Sequence, residues 1–333
     1  MKSFSQVIAC IGAALALVGA AAAQDPSTGS GQVYPTRQIV VIVPFPAGGS
    51  TDIQARILAE PMRQVLGQPV VVQNVPGAGS TIGTGRAVQS PPDGYTLIVG
   101  NWTSHVGAGA VYPVKWHPLA DLEPVSLLAT TTLIIAGRTG LPANDGKELI
   151  TWLKSNPDHA TAAHVGAGSG AHICGIYFEQ KTGTRLRYVP YKGGAPAMAD
   201  LMANQVDLFC GEASQMLGHF KSGRIKPLVV MSKSRWRPLP EVPTMEETGA
   251  SDTYIAFWQG MWAPKGTPRQ VIAKLSDAVA RAFAEPAVVK RLSELGQDLP
   301  AREQMTPQAL AAYHKSEIEK WWPLIKGANI KVE

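Results

Sequence analysis

Residues 44–52 read Pro-Phe-Pro-Ala-Gly-Gly-Ser-Thr-Asp, set between the apolar run Ile39–Val43 and a helical pattern that starts at Ile53. A glycine-rich passage from strand to helix leaves backbone N–H groups unpaired, and the helix N-terminus adds roughly half a positive charge. Anion capture is the chemistry such a stretch can do. Gly48 and Gly49 lack the Cβ atoms that would hold an anion off, Ser50 and Thr51 add hydroxyls, and Pro44 and Pro46 stiffen the approach. A carboxylate seated there gains about 0.3–2 kcal/mol from the dipole alone. Phe45 and Ala47 flank the same mouth, and Phe45 is of a type that covers an apolar part of a solute. The competing role is a turn in which Ser50 or Thr51 only caps the helix. Asp52 does not help to hold another carboxylate. It caps the helix and orients the loop, or it accepts a hydrogen bond from an N–H or O–H on a solute.

Other turns carry similar chemistry. Gly166-Ala167-Gly168-Ser169-Gly170-Ala171-His172 is a second strand-loop-helix passage, with Gly168, Ser169 and His172 as candidate contacts. A dicarboxylate held at both ends would bridge the two seats and favour a closed form. Gly77-Ala78-Gly79-Ser80 is a third such turn, offering Gly79 and Ser80. Its spacing, G-x-G-x-x-x-G, is one residue off the dinucleotide fingerprint, and no phosphate-loop G-K-[ST] occurs. Asn101, Trp102 and Thr103 follow the apolar strand Tyr95–Val99, at the end of a sheet where ligands bind, although core packing is the commoner fate of a Trp. Lys192 and Gly193 sit in a Tyr-Lys-Gly-Gly turn, where the lysine pairs with an anion or is solvated. The seven histidines are scattered without metal-ligand spacing, and no cofactor motif is present.

The elements that must position these residues alternate between apolar strands and amphipathic helices. Strands that read as continuous apolar runs are buried on both faces, which predicts doubly wound, mainly parallel sheets flanked by helices. With 333 residues the chain exceeds what one core comfortably serves. We expect a two-lobed α/β fold: lobe 1 over 34–135 plus 254–333, lobe 2 over 136–253, and crossover strands near 125–137 and 252–263 as the hinge. Such a clamshell places its ligand between the lobes. Lys2, the apolar stretch Val7–Val18 and the small residues Ala21 and Ala23 predict a secretory leader over 1–23, hence an exported, periplasmic protein. Net charge is +5, one less once Lys2 is removed, and no basic run suggests nucleic acid. Cys174 and Cys210 remain after Cys10 leaves with the leader; a disulfide and two buried thiols are both open.

Four stretches carry a resemblance: YPTRQIVVIVPFPAGGSTDIQAR at 34–56, VVVQNVPGAGSTIGTGRAVQSPPDGYTLIVGN at 70–101, YVPYKGGAPAMADLMANQVDLF at 188–209 and LPEVPTMEETGA at 239–250. In order, and over essentially the whole mature chain, they resemble the Bug-type solute-binding receptors of tripartite tricarboxylate transporters. The resemblance implies a periplasmic Venus-flytrap protein, monomeric and without catalysis or cofactor. It would capture a small di- or aromatic carboxylate and deliver it, in transient contact, to inner-membrane permease subunits. It also implies that the loop at 44–52 grips one carboxylate. The sequence departs from the family after Val206-Asp207-Leu208-Phe209, where relatives commonly carry Asp and later Pro and this chain has Cys210-Gly211-Glu212 and Gly218; a pocket reshaped by that segment, with Glu212 among its contacts, is the expectation. Trp258 and Trp262 are extra aromatics that would suit a ring acid, with aliphatic diacids equally open.

Two rival classes remain. A receptor of the same fold would signal to a membrane sensor kinase. An exported hydrolase would need a nucleophile elbow, which Gly168-Ser169-Gly170 does not supply, or a Cys-His pair with an oriented base, which Cys174, Cys210, His164 and His172 do not announce.

Overall fold

In a computed structural model, residues 34–250, 254–328 and 330 are described; the expected leader and its cleavage position lie outside them. The chain runs β1 (Ile39–Val43), α1 (Ser50–Leu66), β2 (Val70–Asn74), α2 (Thr81–Val88), β3 (Thr96–Asn101), a wide helical turn at Thr103–Gly107 leading into α3 (Ala108–Val111), and the long β4 (Leu122–Gly137). Next come α4 (Gly146–Ser155), β5 (Thr161–His164), α5 (Gly170–Thr182), β6 (Arg187–Pro190), α6 (Gly194–Met202), β7 (Leu208–Glu212), α7 (Ala213–Lys221) and β8 (Lys226–Val230). The rest is β9 (Ala256–Pro264), α8 (Arg269–Ala282), α9 (Pro286–Glu294) and α10 (Pro307–Gly327).

The strand order is β2-β1-β3-β9-β4-β7-β5-β6, with β8 also on β4. β1 lies parallel between β2 and β3, and β5 lies parallel between β6 and β7. Each parallel set is the centre of one lobe. β4 and β9 run antiparallel to each other, and each also pairs antiparallel with its other neighbours, because these strands carry the chain from one lobe to the other and back. The N-terminal half of β4 pairs with β9 and its C-terminal half with β7 and β8, so a single 16-residue strand serves both sheets.

Local signals explain the boundaries. α1 stops at Gly67, whose left-handed φ of 70° lets its N–H bond the Arg63 carbonyl at 2.9 Å. Asp145, Ser169 and Thr306 cap α4, α5 and α10 with their side chains. In lobe 2, Asp207 ties three segments together: Arg138 donates to it at 2.7 Å, and Thr161 donates its N–H and its hydroxyl, both at 2.8 Å. Burial raises this carboxyl, but those bonds and the guanidinium outweigh it and hold it below the usual carboxylate range. Cys174 of α5 and Cys210 of β7 form a disulfide, which closes the question the sequence left open.

Parity along β9 decides which side chains meet the core. Trp258 and Trp262 share one face and Gln259 points to the other, since successive strand residues alternate. Trp258, Trp262, Trp102 and Trp321 are all fully buried. The indoles of Trp102 and Trp258 both donate to Glu317 of α10, at 3.1 and 3.2 Å, and Trp262 stacks on His105 at 3.7 Å. The ring-acid role considered for Trp258 and Trp262, and the ligand-covering role considered for Trp102, give way to packing beneath α10.

Candidate functional site

At the N-terminus of α1, Gly49 is the N-cap and no side chain caps the helix. The first helical bond runs from the Ile53 N–H to the Gly49 carbonyl at 2.9 Å. The N–H groups of Ser50, Thr51 and Asp52 make no hydrogen bond among the described residues. Ala47 and Gly48 are exposed and Phe45 and Gly49 half-buried, whereas Ser50, Thr51 and Asp52 are buried. The mouth therefore joins exposed backbone to buried donors.

Asp52 is a brace for this loop. Its carboxylate accepts the Gly48 N–H at 2.8 Å, Arg56 Nε at 3.1 Å and Asn74 Nδ2 at 2.9 Å, and Asn74 Nδ2 also reaches the Phe45 carbonyl at 3.1 Å. Burial raises the Asp52 carboxyl, but the bonds from Arg56, Gly48 and Asn74 prevail and keep it ionised. Its carboxylate is held by these three protein donors, which matches the loop-orienting role and not the capping one.

From the mouth, polar contacts continue across the sheet. Asn101 donates to Thr51 Oγ1 at 3.1 Å. Gln259 Nε2 lies 3.4 Å from Ser50 Oγ, and the Ser50 hydroxyl donates to Glu212 Oε1 at 2.6 Å. The register explains the convergence: Asn101 stands opposite Gln259, Gln259 opposite Ala129, Thr131 is two residues on from Ala129, and Leu133 stands opposite Glu212. Cross-strand partners and i+2 neighbours share a face, so Asn101, Gln259, Thr131 and Glu212 face one way along four consecutive strands. Burial pushes the Glu212 carboxyl up to about 7, the Ser50 hydroxyl pulling the other way.

The second predicted seat is arranged differently. Gly166 N–H and Gly168 N–H are directed to the Nδ1 atoms of His164 and His172, both at 3.3 Å. Ser169 N–H bonds the Gly166 carbonyl, His172 N–H bonds Ser169 Oγ at 3.3 Å, and Gly170 N–H bonds Thr103 Oγ1 at 3.1 Å. Five of its N–H groups, those of Gly166, Gly168, Ser169, Gly170 and His172, are therefore spent within the protein. His172 stacks on His164 at 4.3 Å and meets Tyr188 edge-on at 4.8 Å; burial, and then His164, lower it to about 4. The neutral ring is a packing and capping element, and Thr103 is the strut that joins this loop to the turn after β3. A Cβ on Gly107 would lie 2.2 Å from the Gly168 carbonyl, so the two backbones touch here.

Of the remaining candidates, Gly79 and Ser80 adopt left-handed conformations, with φ of 60° and 81°, and Ser80 is buried. Tyr112, which the sequence reading did not single out, packs against Gly79, and its hydroxyl is 3.9 Å from the Cβ position of Gly166, so it stands between loops of the two lobes. Lys192 is exposed. Gly193 is the N-cap of α6 without a side-chain cap, and the Cβ position of Gly194 lies 3.4 Å from Gln215 Oε1, whose amide nitrogen is 3.4 Å from Glu212. Gln259 and Thr131 were also missed. The available signal was a polar residue inside an otherwise apolar strand.

Comparison with known proteins shows the family and the fold. A sequence profile described as the tripartite tricarboxylate transporter family receptor matches residues 54–330. The protein BugT of Bordetella pertussis is 33% identical over 333 residues, covering 99% of this chain and 100% of that one. The structure of the periplasmic binding protein BugD superposes with a TM-score of 0.83 at 38% identity, covering 90% of this chain and 100% of that one. MatC from Rhodopseudomonas palustris with bound malate gives a TM-score of 0.82 at 34% identity, covering 88% of this chain and 100% of that one.

Proposed function

The chain belongs to the tripartite tricarboxylate transporter receptor family, and on that premise we propose that it is a periplasmic solute-binding protein for a small carboxylate. The solute sits between the lobes, one carboxylate on the unpaired N–H groups of Ser50 and Thr51. The observation that carries this reading is the Ser50–Glu212 hydrogen bond, which joins the uncapped N-terminus of α1 to the end of β7 in the other lobe. A ligand at that junction touches both lobes at once and favours the closed form by its differential affinity. The malate bound in MatC supports the same class of solute.

Lobe 1 comprises 34–135 with 254–333 and lobe 2 comprises 136–253, with β4 and β9 as the hinge strands. The Cys174–Cys210 disulfide suits an oxidising compartment, in keeping with export by the leader at 1–23. The loaded monomer hands its solute to an inner-membrane permease and performs no catalysis.

Thermal-shift and calorimetric titration against mono-, di- and tricarboxylates, chain and ring, tests the reading. One or two acids should stabilise the protein strongly, with micromolar dissociation constants corresponding to about −8 kcal/mol. Turnover of an ester or amide, abolished by Cys174→Ala, or the absence of any carboxylate ligand, would overturn it.

A further inference from the structure

The mouth of α1 offers donors, but the sheet face opposite it offers acceptors. Glu212 Oε2 and Gln259 Oε1 are buried and have no hydrogen-bond partner among the described residues, and the same holds for Thr131 Oγ1. Gln259 is fully buried and Thr131 is 5% exposed. The orientation of the Gln259 amide follows from its neighbour. The Ser50 hydroxyl spends its proton on Glu212 at 2.6 Å, so the Gln259 atom beside Ser50 must be the donating nitrogen. The chain of donation runs from Gln259 to Ser50 to Glu212, and leaves an acceptor oxygen at each end.

A buried carboxylate is costly unless a cation and further hydrogen bonds accompany it. Among the described residues no lysine or arginine pairs with Glu212. The second carboxylate of a plain diacid placed here would face the oxygens of Glu212 and Gln259, a like-charge and acceptor-to-acceptor arrangement that selects against it. An ammonium group has three N–H donors, and the face presents three acceptors in Glu212, Gln259 and Thr131. A neutral hydroxyl would satisfy only one of them.

Building on the carboxylate-receptor reading above, we infer that Glu212, with Gln259 and Thr131, is a specificity site for an amino group, so that the solute is an amino carboxylate. Its carboxylate rests on α1 and its ammonium on the sheet face.

Isothermal titration of the mature chain with matched pairs tests this: succinate and L-aspartate, glutarate and L-glutamate, 3-phenylpropionate and L-phenylalanine. In the pair that binds, the amino member should bind about tenfold or more tighter than its partner, as expected when a charged hydrogen bond is made or lost. E212Q, which keeps the size of the side chain, and Q259L should each drive that ratio toward one, with circular dichroism showing that both variants fold. A ligand-by-residue cycle reads the coupling directly. Tighter binding of the unsubstituted acids, or a ratio unchanged in both folded variants, overturns this inference and leaves the receptor reading standing. Binding of none of the six, nor of any acid in the wider panel, overturns both.

Discussion

Ser50 and Glu212, 162 positions apart in sequence, share a hydrogen bond of 2.6 Å. One begins the first helix of lobe 1, and the other ends a strand of lobe 2 and opens the helix that follows. Removing either partner leaves the other buried with an unmet hydrogen-bonding group, and that loss costs about 1–3 kcal/mol. Ser50→Ala and Glu212→Ala should each destabilise the protein in urea. Together they should lose less than the sum of the single changes, because the pair is coupled. Strict additivity would mean that the bond does not contribute to the folded state.

Gly48 and Gly49 should respond differently to the same substitution. Gly48 has a φ of +84°, a conformation that costs an L-residue roughly 1–2 kcal/mol, while a Cβ on Gly49 would meet only the Pro46 carbonyl at an ordinary 3.6 Å. Gly48→Val should therefore lower the melting temperature. Gly49→Val should leave it near wild type but weaken the bound carboxylate by about tenfold or more, by screening the amides of Ser50 and Thr51. Unchanged affinity in calorimetry would remove this loop from the site.

Acid should destabilise the protein through its buried histidines. Burial lowers His172 and His314 to about 4 and His105 well below its ordinary value of 6.5. Groups depressed in the folded state contribute stability that is complete above 6.5 and is lost as pH falls toward 4. Glu212 works in the opposite sense. Raised from 4.5 to about 7, it contributes stability that is present at low pH and lost as pH rises through 7. Glu179 and Glu317, also raised by burial, act in the same sense as Glu212, so the three carboxyls and the three histidines oppose one another, each proton being worth about 1.4 kcal/mol per pH unit. Glu212→Gln should tilt the dependence of stability on pH upward between about 4.5 and 6.5 and His172→Asn should tilt it downward, both read from melting temperature against pH.

The disulfide supports the site as well as the fold. It links residues 36 apart, for which chain entropy predicts about 4 kcal/mol of stabilisation. Cys210 precedes Glu212 by two residues, and Cys174 lies on α5 just after the Gly166–His172 loop. Dithiothreitol, or the Cys174→Ala/Cys210→Ala pair, should lower the denaturation midpoint and weaken ligand binding together. Loss of stability with full affinity would confine the bridge to a scaffold role.

Elements built on long local patterns were readable before folding. The run Ile39–Val43 coincides with β1, and the helical pattern that starts at Ile53 falls within α1. The loop at 44–52 was readable as a strand-to-helix passage because its glycines and hydroxyls are contiguous, while the absence of a side-chain cap came only with the structure. What escaped depends on contacts between distant segments. The Gly166–His172 turn resembles the first in sequence, yet Thr103, 67 residues away, takes its Gly170 amide. Likewise, the choice between Trp258 and Gln259 for the ligand side depends on the pairing of β9 with β3 and β4, and a shift by one residue would have exchanged them.

Gly107 and Gly168 meet with no room for even a methyl group between them. Their bare backbones hold the turn after β3 directly against the loop that precedes α5, and any side chain at Gly107 would have to wedge the two segments apart.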